Sequence, residues 1–79
     1  MGEKLIDEIL KVVESETGLN RSDFTTNSRK EVYLEARKKT TKLLIDEAQL
    51  SDEGIAKVLG VSKSTANTYR ISLGYRRRS

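Results

Sequence analysis

The stretch that most constrains this chain is "LSDEGIAKVLGVSKSTANTYRIS", Leu50 to Ser72, where two short runs of helical apolar period meet at a glycine. Ser51 is placed to cap a helix running to Leu59, and Ser62 a second running to about Leu73, where Gly74 ends it. A serine hydroxyl at either position accepts a hydrogen bond from a free N–H of the first turn. Gly60 falls at the corner, where the chain needs a positive φ that only a residue without a Cβ adopts at no cost. Ala56 is small where the two helices must approach closely, and Ile55, Leu59 and Val61 bracket the corner with apolar side chains. On the second helix Ala66, Tyr69 and Leu73 form one inward stripe. This register predicts a helix-turn-helix, in which the first helix braces the second and the second projects.

The remaining sequence is helical in period as well. Leu5, Ile6, Ile9, Leu10, Val12 and Val13 fall on one face of a helix from Glu3 to about Glu16, which Gly18 stops. The connector "GLNRSDFTTNS" is rich in Asn, Ser and Thr, with Leu19 and Phe24 as its anchors and room for one short turn around Ser22 to Thr25. Ser28 and Glu31 are spaced as a capping box, so a helix of about twenty residues is predicted from Arg29, with Val32, Tyr33, Ala36, Thr40, Leu43, Leu44 and Ala48 inward. No segment alternates with period two, and proline is absent. The expected fold is all-α, a small helical bundle of about four helices containing a helix-turn-helix. Residues 1–75 form the domain and 76–79 a basic, disordered tail.

Composition narrows the chemistry. A chain of 79 residues has room for one small core. Without cysteine or histidine it can form no disulfide, no Cys/His zinc site and no His-based acid–base pair. It also has no glycine-rich phosphate cradle, and its acids fall on predicted helix surfaces, so no enzymatic function, cofactor, metal or small-molecule ligand is expected. "MGEKLIDEIL" places acids where a signal peptide would be apolar, and no run is long enough to span a membrane. A cytoplasmic location is therefore expected. The net charge of +3 is unevenly spread: up to Thr26 acids outnumber bases by three, and from Asn27 onward bases outnumber acids by six. That balance points to a polyanion partner.

With Ala66, Tyr69 and Leu73 inward, a turn of about 100° per residue sends Ser64, Asn67, Thr68 and Ile71 outward, with Lys63 on the flank. Asn pairs with adenine, Ser and Thr donate or accept, Lys suits guanine or phosphate, and Ile71 can meet a thymine methyl. The N–H groups at Ser62 to Thr65 can face a phosphate.

"SRKEVYLEAR" (Ser28 to Arg37), "KLLIDEAQLSDEGIAKVLG" and "STA" (Ser64 to Ala66) together resemble the C-terminal DNA-binding domain of the bacterial replication initiator DnaA, a Trp-repressor-like helix-turn-helix family. The likeness runs from about Leu5 to Tyr69. It implies a helix-turn-helix in the major groove and a basic loop in the minor groove. It places Arg29 at the minor-groove arginine with Lys30 beside it, and Arg37 at a phosphate-contacting arginine of the long helix. Arginine is drawn to narrow A·T-rich minor grooves on physical grounds too.

The chain departs from the family at the turn. The Arg, Asp and His that read the initiator's box are missing, with Ser62 where the Asp and Lys63 where the His would stand, and no "GxxxxGK" loop marks the family's ATPase.

The expectation is a stand-alone, sequence-specific double-stranded DNA-binding domain, bacterial or phage-encoded, acting in replication initiation or transcription regulation. Lys63, Ser64, Asn67 and Thr68 would read the major groove and Arg29 the minor groove, while Lys30, Arg37, Lys38, Ser62, Thr65 and Arg70 hold phosphates. The absence of an a/d heptad seam points to a monomer, with a dimer left open. The acidic first helix and the replaced triplet support an alternative, a protein-interaction module that keeps the fold without binding DNA.

Overall fold

Local capping and period resolve into five helices in the computed structural model, which describes residues 2–75: α1 (Gly2–Thr17), α2 (Arg21–Phe24), α3 (Glu31–Asp46), α4 (Asp52–Leu59) and α5 (Lys63–Ser72). Among the described residues there is no strand, and no helix is long and apolar enough to cross a membrane. The all-α bundle is as expected, and the short turn anticipated near Ser22 is α2. The basic tail 76–79 lies outside the described residues.

Two buried clusters form the core. Ile9 of α1 and Leu44 of α3 meet Ile55, Ala56 and Leu59 of α4 and Ala66 and Tyr69 of α5. Leu10 and Val13 of α1, Phe24 of α2 and Ala36 of α3 form the second. Ile6, Leu43 and Val58 pack against both and join them. Leu19 and Phe24 do anchor the connector, Phe24 being fully buried.

Two predicted core positions turn outward. Val12 is 45% exposed because it lies about 100° around α1 from Val13, the fully buried centre of the stripe. Val32 is 59% exposed, and the inward face of α3 runs instead through Ala36, Arg37, Thr40, Thr41 and Leu44. The two threonines sit in that face because each hydroxyl donates to the carbonyl four residues back, Thr40 to Ala36 and Thr41 to Arg37, both at 2.8 Å.

α3 also begins later than expected. Its first residue is Glu31, not Arg29, and it spans 16 residues. Lys30 is the N-cap, with extended φ and ψ and no side-chain cap, while the Ser28 hydroxyl accepts weakly from Lys30 N at 3.4 Å. The capping box does not form: the Ser28 carbonyl accepts from the Arg37 guanidinium, as the Thr26 carbonyl does, and the first backbone bonds of the helix go to the Lys30 carbonyl instead.

A clamp between α1 and α2 escaped the sequence reading. Arg21 donates to Asp7 Oδ1 at 2.6 Å and to Glu14 Oε1 at 3.2 Å, and its backbone N–H donates to Glu14 Oε2 at 2.8 Å. The Arg21 guanidinium holds the Asp7 carboxyl below its ordinary value, and the Arg21 backbone and side-chain donors do the same for Glu14.

Candidate nucleic-acid interface

The α4–α5 corner forms as its sequence requires. The Ser51 hydroxyl accepts from Gly54 N, and the Ser62 hydroxyl from Thr65 N at 3.1 Å. Gly60 takes φ +67°, and a Cβ there would lie 2.8 Å from the Thr25 carbonyl oxygen. Conformation and contact both demand glycine, and the contact brings the connector that carries Arg29 against the corner.

α5 carries no acidic residue. Ala66 and Tyr69 are buried, while Ser62, Lys63, Ser64, Thr68 and Ile71 are exposed and Thr65 is half-buried. Several hydroxyls are engaged locally: Ser62 Oγ lies 2.9 Å from Thr65 Oγ1, and Thr68 donates to the Ser64 carbonyl at 3.1 Å. Lys63 forms no ion pair among the described residues.

Arg29 and Lys30 are exposed on the connector, with Lys30 Nζ 5.8 Å from the centre of the Tyr33 ring. Lys38 is half-buried and shares a shallow depression with Glu35, Lys39 and Lys42. The Lys39 and Lys42 ammonium groups pair with Glu16 and Asp46.

Three expected contacts change. Arg37 does not face a phosphate: it is 2% exposed, donating through Nε to the Tyr69 hydroxyl at 2.9 Å, through Nη1 to Thr26 O at 2.9 Å and through Nη2 to Ser28 O. An arginine can be buried there because its planar fork supplies several donors to oxygens that would otherwise be unpartnered. It ties α5 to the connector through the interior.

Arg70 is likewise committed. Its Nε donates to Asp52 Oδ1 at 2.6 Å and its Nη2 to the Leu50 carbonyl at 3.2 Å, with only 12% of the side chain exposed. The charge-assisted bond to the acid of α4 holds the head within the fold.

Asn67 is half-buried rather than fully outward, since its Nδ2 donates to Asp52 Oδ2 at 2.9 Å. Asp52 therefore joins the first turn of α4 to two successive faces of α5. Burial pushes its carboxyl up, but the hydrogen bonds from Asn67 and Arg70 and the charges of Arg70 and Lys63 outweigh this and hold it below the usual value. Sequence reading missed Asp52 because it stands in the first turn of a helix, where an acid is expected for the helix dipole alone.

What the arrangement assembles is an acid-free helix with small polar side chains outward, buttressed by Asp52 on one side and Arg37 beneath. Comparison with protein families, curated proteins and solved structures finds nothing that matches this chain.

Proposed function

We propose that the chain is a sequence-specific double-stranded DNA-binding domain, related to the DNA-binding domain of DnaA and acting in the cytoplasm in replication initiation or transcription regulation. α5 enters the major groove and the basic connector before α3 enters the minor groove. The observation that carries this reading is the outer face of α5, free of acids and seated on Ala66 and Tyr69. Lys63, Ser64 and Thr68 meet bases directly, and Asn67 does so with the part of its amide that Asp52 leaves open. Arg29 enters the minor groove, and Lys30, Lys38, Ser62 and Thr65 hold phosphates. Arg37 and Arg70 act from within the fold, as the braces of connector and reading helix.

The test is an ionic-strength titration of binding to duplex DNA, followed by fluorescence anisotropy. Arg29, Lys30, Lys38 and Lys63 are the cations this reading sets on the DNA. Two of them neutralise phosphates and two lie in the grooves, which gives a slope between about −2 and −4 in log affinity against log salt. A slope near zero would remove the proposal.

A second reading, an interaction module that keeps the fold without DNA, draws on the exposed Val12 and Val32. It predicts no retention on heparin or on random duplex at moderate salt, where the first predicts retention on both.

A further inference from the structure

Asp52 does more than brace α5. Its two carboxylate oxygens are assigned to different partners, Oδ1 to Arg70 Nε at 2.6 Å and Oδ2 to Asn67 Nδ2 at 2.9 Å. A carboxylate only accepts, so the amide of Asn67 must face it with nitrogen and not with oxygen. Asn67 Oδ1 has no partner among the described residues, yet no buried side-chain oxygen there is left unpartnered. That oxygen therefore opens to solvent. Which chemical edge Asn67 shows outward is set by the charge on Asp52, and Arg70 keeps that carboxylate in place from the other side.

We propose that Asp52 is a positioning residue which makes Asn67 an acceptor toward the base it meets, so that α5 reads the exocyclic amino group of adenine or cytosine through Asn67 Oδ1. The inference rests on the DNA-reading proposal above. Adenine and cytosine are the two bases that offer an amino donor in the major groove, whereas guanine and thymine offer only acceptors there. An asparagine free to rotate can turn either end of its amide to the base, whereas one pinned by a carboxylate keeps Oδ1 toward it, with its second N–H left to donate to a neighbouring acceptor such as adenine N7.

Selection from random duplexes with the native chain identifies the preferred site, and Asn67→Ala locates the base pair that depends on this side chain. Deleting the amino group at that pair, with purine for adenine or 2-pyrimidinone for cytosine, is expected to weaken the native chain roughly tenfold. The Asn67→Ala variant should be indifferent to the same deletion.

Asp52→Asn supplies the reversal. Arg70 can only donate, so it claims the remaining oxygen of residue 52, and the new amide nitrogen faces Asn67, whose own amide must then turn over. The variant should lose its dependence on the amino group, so that deleting that group weakens it no more than it weakens Asn67→Ala. The removed charge raises affinity for all sequences alike and leaves this difference untouched.

A native chain insensitive to amino deletion, or equal losses in the native chain and Asn67→Ala, overturns the inference. So does an Asp52→Asn chain that is folded by circular dichroism and still depends on the amino group. If that variant does not fold, the analogue cycle on the native and Asn67→Ala chains decides alone. A native chain that enriches no sequence at all overturns the DNA-reading proposal with it, whereas an enriched site indifferent to the amino group sinks only this inference.

Discussion

At the scale of single residues, Arg37 is the charged side chain that the fold buries among the described residues. Its guanidinium bonds the connector carbonyls of Thr26 and Ser28 and the hydroxyl of Tyr69, and none of these partners is a carboxylate. Arg37→Ala should lower the unfolding free energy by about 3 kcal/mol, because truncation leaves the buried Tyr69 hydroxyl and the partly buried Thr26 and Ser28 carbonyl bonds without their donor. Urea denaturation checks this, and a loss below about 1 kcal/mol would show that water replaces the guanidinium. A family resemblance pointed to a phosphate contact at this position, and an arginine in a helical sequence gives no local sign of which way it turns. Gly60 is the opposite case, since its role was legible from the corner itself. Gly60→Ala should cost about 2 kcal/mol through its positive φ and the 2.8 Å approach to Thr25 O. Thermal unfolding at equal pH reads that loss, and an unchanged melting temperature would contradict it.

Among elements, the ends of α4 and α5 follow from their serines, but the start of α3 does not follow from Ser28 and Glu31. The pattern of a capping box is local, whereas the contest for the Ser28 carbonyl is decided by Arg37, nine residues on. What results is a helix whose N-cap, Lys30, has the backbone angles of a cap and no capping side chain. Lys30→Asp should therefore stabilise the fold by about 1 kcal/mol, since an aspartate at that position caps the first turn and favours the helix dipole. On the DNA-binding proposal the same change should weaken affinity for every duplex, because it replaces a phosphate-facing cation by an acid. Stability from denaturant titration and affinity from anisotropy should thus move in opposite directions. Affinity that stays level while stability rises would take Lys30 off the interface.

For the molecule as a whole, stability depends on carboxylates held below their ordinary values. Asp7 and Glu14 owe this to Arg21, Asp46 to the Tyr75 hydroxyl and Lys42, and Asp52 to Asn67 and Arg70 working against burial. A carboxyl whose pKa is depressed in the folded chain contributes stability that is fully present above its unfolded value and fades as pH falls through the folded one. With no histidine in the chain, unfolding free energy should stay level from about pH 5 to 8 and decline below about pH 4. Denaturant midpoints across that range check it, and a decline beginning near pH 6 would refute it. The sequence alone settled that the chain is helical, where α1, α4 and α5 end, and most of the apolar residues that anchor the core, Val12 and Val32 excepted. Caps, glycines and helical period act within a few residues, so they can be read without knowing what lies opposite. Tertiary structure decided what each charge does. Arg21 crosses to α1, Arg37 turns inward to Tyr69, and Arg70 reaches back to Asp52, because a long cationic side chain goes to whichever acceptors the folded chain brings within its reach.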